Sequence, residues 1–411
     1  MTLSAVLHKT NLPTRFFALD QGAEGTALAW ADPRLPSLPA CLEGDLRGAI
    51  RDACRSLPPP GLLGGWVAYE AGAAFERMPR RDPAEVGLGR LWSSAGRLWL
   101  GVGEPRIDGD AAFAKEAERW LAASTGPPRA HRPPTGPPLV SPGQREAYED
   151  GVAQIIDLIG QGDLYQANLA WRSPPTAVDD AVALFLALRT ANPAERGGLL
   201  RDEETTLVSN SPELLLAVDR RPDGALVARS CPIKGTVRRS AGPAAAAALW
   251  QSEKERAELT MIVDLVRNDL GRVAVPGSVK ALPRRLRPCG DLLHAEQEVE
   301  AVLEPGADAV DAFAALFPAG SVTGAPKVRA MERIAALEPH PRGAYCGAMG
   351  WFAADGSARW NVAIRTLTLR EGLAHFHVGA GIVADSVPQS EWQETLAKAA
   401  ALWTQLRGSP P

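Results

Sequence analysis

A Pro-rich segment constrains the fold of this chain more than any other feature. Residues 126–138 read Gly-Pro-Pro-Arg-Ala-His-Arg-Pro-Pro-Thr-Gly-Pro-Pro. Proline has no backbone N–H and a fixed φ, so this segment cannot form a helix and is expected to be extended and semi-rigid. The length of 411 residues also exceeds that of a usual single core. We therefore predict an N-terminal β-rich region at 1–125, a linker at 126–140 and a larger domain at 141–411.

Short apolar runs between turn residues predict an antiparallel sheet structure with helices. Residues 91–92 and 97–100 flank a Ser-Ser-Ala-Gly turn, which predicts a hairpin. A Pro-Asp-Gly turn at 222–224 joins two further apolar runs. Apolar residues at helical spacing and capping residues predict helices at 112–123, 141–160, 181–190, 252–270, 309–317 and 326–337, and a last helix from Ser390. The pattern is typical of an α+β fold.

Composition excludes several classes of protein. A formal net charge of -4 argues against nucleic acid as the main partner. The five cysteines are scattered and form no Cys-x-x-Cys pair, which predicts a reducing compartment. No run is apolar and long enough for a signal peptide or a membrane span. We therefore expect a cytoplasmic protein without a membrane partner.

Three ionisable residues lie among apolar neighbours between residues 210 and 270. Glu213 precedes three leucines, Lys234 stands between Ile233 and Gly235, and Glu258 shares a helical face with apolar residues. A charge that loses water needs a partner, so such groups are either ion-paired for structure or adjusted for chemistry. Three in one stretch favour a site.

Glu391 and Glu394 stand three residues apart on the last predicted helix, where their charges repel each other. With Glu258 from another helix, they could offer carboxylate oxygens to Mg²⁺, which takes few protein carboxylates plus water and ligand oxygens. The alternative is a solvated acidic first turn that the helix dipole favours. The sequence leaves both interpretations open.

Two glycine patterns require separate judgement. Residues 379–384 formally match Gly-x-Gly-x-x-Ala, but a proline follows where a dinucleotide-binding fold needs a helix, so we reject nicotinamide binding. Residues 324–327 lack the spacing of a phosphate loop. Both segments can still present backbone N–H groups to a carboxylate, and Arg365 can supply a bidentate partner.

Five blocks of sequence resemble the signatures of the chorismate-utilising enzymes. They are Ser-Pro-Glu at 211–213, Pro-Ile-Lys-Gly-Thr at 232–236, Ile-Val-Asp-Leu-Val-Arg-Asn-Asp-Leu-Gly at 262–271, Gly-Ser-Val-Thr-Gly-Ala-Pro-Lys at 320–327 and Gly-Ala-Gly-Ile-Val at 379–383. The resemblance covers about residues 141–406 and is weaker at 65–72. It implies a large α+β fold of two opposed antiparallel sheets with helices outside and the active site between them.

The lysine of Pro-Ile-Lys-Gly-Thr resembles the aminodeoxychorismate synthase component I branch, since anthranilate synthases typically have alanine there. Isochorismate and salicylate synthases carry a water-activating lysine where this chain has Gln166. One departure follows His294, where residues 295–298 read Ala-Glu-Gln-Glu instead of the usual Leu-Val-Ser-Thr.

The resemblance also implies roles for individual residues. Glu213 matches a general acid that protonates the departing 4-hydroxyl of chorismate, Lys234 matches a nucleophile that adds at C2, and His294 matches a histidine near the reacting ring. Glu258 and Glu394 match Mg²⁺ ligands, with Glu391 in support. The matched contacts to the substrate are Thr236, Thr323, Gly324, Tyr345, Arg365, Gly379, Ala380 and Gly381.

Three functions remain open at this point. The first is amination of chorismate at C4 to 4-amino-4-deoxychorismate, on the route to p-aminobenzoate and folate. The second is that of an anthranilate synthase component I, and the third is a silent regulator that binds chorismate or tryptophan. The chain has no Gly-x-Cys-x-Gly element for releasing ammonia from glutamine, so we expect a separate glutamine amidotransferase subunit as partner.

Overall fold

Two large antiparallel sheets lie face to face, with helices on their outer surfaces. The computed structural model describes residues 3–7, 12–21, 24–35, 37–38, 45–79, 81, 87–101, 104–122, 131, 133 and 140–407. The arrangement confirms the predicted α+β class of two opposed antiparallel sheets with helices outside.

The helices of this part are α1 (Leu3–Leu7), α2 (Leu46–Arg55), α3 (Ala111–Ala122), α4 (Gln144–Gly160), α5 (Ala181–Ala191), α6 (Gly242–Gln251), α7 (Glu253–Gly271), α8 (Ala309–Leu316), α9 (Lys327–Leu337) and α10 (Pro388–Arg407). The strands are β1 (Arg15–Asp20), β2 (Thr26–Trp30), β3 (Ser37–Leu38), β4 (Leu62–Val67), β5 (Gly89–Ser94), β6 (Gly96–Leu100), β7 (Arg106–Gly109), β8 (Gln166–Arg172), β9 (Thr176–Ala177), β10 (Gly198–Asp202), β11 (Thr205–Ser209), β12 (Leu214–Arg220), β13 (Leu226–Cys231), β14 (Ile233–Arg238), β15 (Lys280–Ala281), β16 (Arg285–Cys289), β17 (Leu292–Glu296), β18 (Val299–Val302), β19 (Gly324–Ala325), β20 (Ala348–Ala353), β21 (Ala358–Asn361), β22 (Thr366–Arg370) and β23 (Leu373–Ile382). Among the described residues, no helix combines the length and apolar character needed to span a membrane.

The strands form three sheets. The first has the order β19-β8-β23-β22-β11-β10-β1-β2-β6-β7, with β9 beside β23, and the second has the order β15-β18-β13-β12-β21-β20-β4-β5-β3. The third is small and has the order β14-β17-β16. All of their pairs are antiparallel, so short turns suffice for several connections.

Alternation along the strands explains why the two large sheets stack. In β1, Phe17 and Leu19 pack between the sheets against Trp66 of β4 and Trp351 of β20. Phe16, the intervening neighbour, belongs to the core on the helix side of the first sheet. Because successive side chains of a strand point to opposite faces, β1 is apolar on both sides, and the first sheet is covered on both faces at this strand.

Strands from before and after the Pro-rich segment share both large sheets. In the first sheet β1 pairs with β10, and in the second β4 pairs with β20. Most of residues 126–140 lie outside the described part, so the predicted domain boundary stays a prediction.

The predicted hairpin at residues 91–100 is wrong. Strand β5 pairs with β3 and β4 in the second sheet, whereas β6 pairs with β2 and β7 in the first. The chain therefore crosses from one sheet to the other at Ala95, which is buried. The last helix begins at Pro388, two residues before the predicted start.

Candidate active site

The small third sheet brings predicted residues together. Lys234 and Thr236 lie on β14, and His294 lies on the central strand β17. Thr236 is the register partner of His294, whose Nδ1 lies 2.8 Å from Thr236 Oγ1. Residues that are 58 positions apart in the sequence are therefore direct neighbours.

Glu213 is buried at the start of strand β12, where its side chain is 4% exposed. Ser321 donates a hydrogen bond of 2.5 Å to Glu213 Oε1. Burial raises the pKa of Glu213 to about 7, although Ser321, Lys234 and Arg365 act in the opposite direction. Near neutral pH this carboxyl group can therefore carry a proton and release it.

Lys234 forms an ion pair with Glu258 of α7. Lys234 Nζ lies 3.1 Å from Glu258 Oε2, and the two side chains are 15% and 14% exposed. A Cβ added to Gly381 would lie 2.8 Å from the same Nζ and 2.9 Å from Gln166 Nε2. Glycine at position 381 therefore leaves the space into which the lysine projects.

Four glutamates lie on the first two turns of helices α7 and α10, and three of them, Glu255, Glu258 and Glu394, lie near this lysine. Glu255 and Glu258 come from α7, which Ser252 caps by accepting a hydrogen bond from the Glu255 backbone, and Glu391 and Glu394 come from α10. Desolvation and the charges of Glu258 and Glu394 raise the pKa of Glu255. The helices thus place a local excess of negative charge beside Lys234.

The two glutamates of α10 have different surroundings. Glu391 is buried, accepts a hydrogen bond of 2.6 Å from Ser386, and has an Oε2 without a hydrogen-bond partner among the described residues. Glu394 is exposed and pairs with Lys398 at 2.7 Å. Desolvation opposes the effect, but Lys398 and Lys234 hold the pKa of Glu394 below its usual value. Within the described residues, no group of three or more His, Cys, Asp or Glu is arranged to hold a metal ion.

His294 is fully buried and its Nε2 has no hydrogen-bond partner among the described residues. Burial, aided by Arg365 and Arg287, lowers the pKa of His294 to about 3. The ring is therefore neutral at physiological pH. It offers one nitrogen to a ligand while Thr236 occupies the other.

Arg365 acts electrostatically on both Glu213 and His294, which places it beside the site. Arg365 adopts a left-handed backbone conformation with φ of 50°, and burial lowers the pKa of its guanidinium, which interacts electrostatically with Glu213. A buried cation beside one carboxyl group can receive a carboxylate ligand. Tyr345 is 5% exposed and its ring stacks on His377 with centroids 5.5 Å apart.

The remaining predicted contacts lie on β19 and β23, and Thr323 directly precedes β19. Gly324 on β19 has φ of 149°, and a Cβ there would meet Gln166 O at 2.2 Å; a Cβ on Gly379 would meet Leu169 O at 2.3 Å. Thr323 is buried and donates to Ala319 O at 3.0 Å. The Ala380 side chain belongs to the core on the helix side of the sheet, so only its backbone can serve the site. Their roles toward a substrate stay predictions.

Sequence reasoning gave no role to three residues of this site. Glu255 lies three positions before Glu258, and Glu391 lies three positions before Glu394. This repeated spacing is a sequence signal that could have identified Glu255. Ser321 lies in a quoted block but does not stand out without the structure. Gln166 is fully buried, and neither polar atom of its side chain has a hydrogen-bond partner among the described residues. A buried amide without partners favours a ligand at that point.

A profile described as chorismate binding enzyme matches residues 31–404, which is most of the chain. The chain belongs to the chorismate-binding enzymes. It is therefore an enzyme of the family that acts on chorismate, and the buried acid and the lysine described above lie within the matched region.

Relatives with two different names match equally well. The chain is 37% identical to anthranilate synthase component 1 of Thermus thermophilus over 84% of this chain and 78% of that protein. It is also 37% identical to aminodeoxychorismate synthase component 1 of Klebsiella aerogenes over 85% of this chain and 78% of that protein. Overall identity therefore does not choose between these two reactions.

Solved structures share the fold. Anthranilate synthase component I from Streptococcus pneumoniae superimposes with a TM-score of 0.77 at 26% identity, covering 98% of this chain and 95% of that one. The menaquinone-specific isochorismate synthase from Escherichia coli has a TM-score of 0.76 at 19% identity, with 99% and 92% covered, and bears on the fold alone.

Proposed function

We propose that this enzyme aminates chorismate at C4 and forms 4-amino-4-deoxychorismate, the precursor of p-aminobenzoate. The observation that supports this reaction is the position of Lys234. Its Nζ projects past Gly381 into the same site as the buried acid Glu213. An anthranilate-forming enzyme has no use for an amine there.

Glu213 acts in the first step as a general acid. Its carboxyl proton goes to the 4-hydroxyl of chorismate, which leaves as water while the ring double bonds shift. Lys234 Nζ forms a bond to C2 in the same step and attacks as the free amine, so its proton must leave first. Glu258, which accepts a hydrogen bond from Nζ, is placed to receive that proton.

Ammonia completes the reaction. Its lone pair forms a bond to C4, the double bonds shift back, and the C2–N bond to Lys234 breaks. The freed Lys234 amine takes its proton back from Glu258. The Glu213 carboxylate takes one proton from the added nitrogen and returns to its acid form. Chorismate and ammonia are thereby converted to 4-amino-4-deoxychorismate and water, and the enzyme is regenerated.

In this proposal the acidic residues of α7 and α10 hold a magnesium ion, although the described residues contain no group of three such side chains already arranged for one. Glu258 and Glu394 offer carboxylates from two helices, Glu391 has a buried oxygen without a partner, and Mg²⁺ takes few protein carboxylates with water and ligand oxygens. A bound Mg²⁺ supplies positive charge that neutralises and orients a substrate carboxylate. Arg365 and the neutral His294 would contact the substrate from the other side.

The ammonia source is a glutamine amidotransferase subunit in this proposal. Free ammonia is scarce at neutral pH, and the chain lacks a Gly-x-Cys-x-Gly element. Among the described cysteines, Cys231, Cys289 and Cys346 are buried and Cys54 is half-buried. Burial raises the pKa of each thiol, which disfavours the thiolate that a glutaminase needs.

The alternative is an anthranilate synthase component I, which equal identity to relatives of that name supports. A silent regulator is less consistent with a buried acid of raised pKa. Product identification tests the proposal. With chorismate, ammonium and Mg²⁺, the enzyme should form a product that aminodeoxychorismate lyase converts to p-aminobenzoate. Fluorescent anthranilate as the product would overturn it.

A further inference from the structure

A buried ion-pair cluster next to the site has no role in the mechanism above. Glu296 ends strand β17 and is 1% exposed. Arg285 Nε donates to its Oε1 at 2.8 Å, and Arg287 Nε donates to its Oε2 at 2.6 Å. Both arginines lie on β16, where Arg285 is the register partner of Glu296. Both carboxylate oxygens are therefore occupied by protein groups.

Arg287 connects this cluster to the segment of the general acid. Its Nη2 donates a hydrogen bond of 2.8 Å to the carbonyl of Pro212, the residue directly before Glu213. The Arg287 side chain is only 15% exposed, and its orientation is fixed by Glu296 on one side and by this carbonyl on the other, with Glu195 Oε2 3.1 Å from its Nη1. A guanidinium can serve both because its donors form a rigid planar fork.

The same sheet carries the lysine and the histidine of the site. Glu296 is the register partner of Ile233, which precedes Lys234, and Arg287 is the register partner of His294. Pro212 and Glu213, in contrast, belong to the second large sheet through β12. The Arg287 contact to Pro212 therefore connects the small sheet that carries Lys234 to the segment that carries Glu213.

We propose that Glu296 and Arg287 are positioning residues that hold the Pro212–Glu213 segment in place relative to Lys234. Glu296 aligns the guanidinium that holds the Pro212 carbonyl. Its negative charge also offsets Arg287 in the vicinity of the acid. The proposal rests on the proposed function only in that Glu213 protonates the leaving hydroxyl, a step common to both amination reactions.

The charged groups that act on Glu213 define the expected pH effect. Lys234 on β14 and Arg365 before β22 favour the carboxylate, as does the Ser321 hydroxyl, whereas Glu296 favours the protonated acid. Loss of the Glu296 charge removes a neighbouring negative charge that opposes ionisation of Glu213. Glu213 should then lose its proton at lower pH.

Glu296→Gln tests this inference, with Glu298→Gln as the matched control. Glu298 also lies near Arg285, at 3.7 Å, but has no contact with Arg287. We expect kcat for chorismate consumption to fall about tenfold in Glu296→Gln, as for impaired general acid catalysis. The alkaline limb of kcat should move to lower pH, while KM changes little. The control Glu298→Gln should keep the wild-type kcat and the wild-type pH profile.

Arg287→Lys and Arg285→Gln provide a second pair. A lysine keeps the charge but cannot hold Glu296 and the Pro212 carbonyl with one planar fork, so we expect the same loss of kcat. Arg285→Gln leaves the Arg287 contacts to Glu296 and to the Pro212 carbonyl in place, so its kcat should stay close to that of the wild type. Circular dichroism verifies folding, and if Glu296→Gln does not fold, Arg287→Lys decides. A folded Glu296→Gln or Arg287→Lys with wild-type kcat and pH profile would overturn the inference.

The readout separates this inference from the proposed function. Chorismate consumption reports protonation of the leaving hydroxyl whichever carbon is aminated. If the wild type makes anthranilate, the proposed function fails, yet the shifted pH limb of Glu296→Gln would still support the positioning role.

Discussion

Lys234 Nζ donates a hydrogen bond of 3.1 Å to Glu258 Oε2, which joins strand β14 to the first turns of helix α7. The lysine and the glutamate were singled out in the sequence for different roles, nucleophile and metal ligand. Because the two side chains form an ion pair, a substitution at either residue removes the charge partner of the other. Variants at Lys234 are therefore tested by the product formed, and variants at Glu258 by Mg²⁺ binding.

Glu258→Gln and Glu394→Gln should lose most turnover and bind Mg²⁺ more weakly, because each removes a charged oxygen ligand. Titration calorimetry with Mg²⁺ and the Mg²⁺ dependence of kcat measure this. Glu253→Gln, an exposed neighbour on α7, is the control. Full activity with unchanged Mg²⁺ dependence in both variants would exclude a metal role.

Lys234→Ala should lose most 4-amino-4-deoxychorismate formation, since it removes the amine that blocks C2 and directs ammonia to C4. Any remaining amination should move toward C2. Chromatography of the products measures the ratio, with Lys254→Ala as control because Lys254 is exposed on α7. A variant that makes the wild-type product at the wild-type rate would rule out the nucleophile.

The pH dependence of kcat should follow Glu213. Its pKa of about 7 means that the acid form is populated below pH 7, so kcat should fall as pH rises through 7. Glu213→Gln should abolish most turnover at every pH. An unchanged alkaline limb in a still active Glu213→Gln would assign that limb to another group.

Ionisation of the buried Glu213 should lower the free energy of unfolding at alkaline pH. Its pKa in the folded state lies above the ordinary value of 4.5, so the folded chain binds more protons between pH 4.5 and 7 and loses stability as pH rises through this window. The full effect is about 3 kcal/mol at ~1.4 kcal/mol per pKa unit. Urea unfolding at pH 8 should therefore find Glu213→Gln more stable than wild type, with no such gain at pH 4.

Ser321→Ala should move the alkaline limb of kcat to higher pH. The Ser321 hydroxyl stabilises the Glu213 carboxylate through the 2.5 Å hydrogen bond and so lowers its pKa. Loss of this hydrogen bond should raise the pKa of Glu213 further. A limb that stays in place would mean that Ser321 only fixes the side-chain geometry.

The isolated chain should use ammonium salts and ignore glutamine, because the glutaminase chemistry belongs to a partner subunit in the proposed function. Product formation with each nitrogen source at one pH measures this, and activity should rise with the concentration of ammonium salt. Glutamine-dependent turnover by the purified chain alone would contradict it.

The sequence by itself determined the local structure and the chemical groups. Ser252 before an apolar helical repeat places the start of α7, and the Pro-Asp-Gly turn at 222–224 joins β12 to β13. Glu213, Lys234 and Glu258 stand out because their neighbours in the chain are apolar. The pattern of adjacent residues is enough to predict that such a segment is buried.

Only the tertiary structure decided which of these groups meet. Residues 91–100 carry the pattern of a hairpin, yet β5 pairs with β4 in the second sheet, whereas β6 pairs with β2 and β7 in the first. Ser321 reaches Glu213 across 108 positions, and Arg287 reaches Pro212 across 75. Such contacts depend on strand register and side-chain direction, which no local pattern contains.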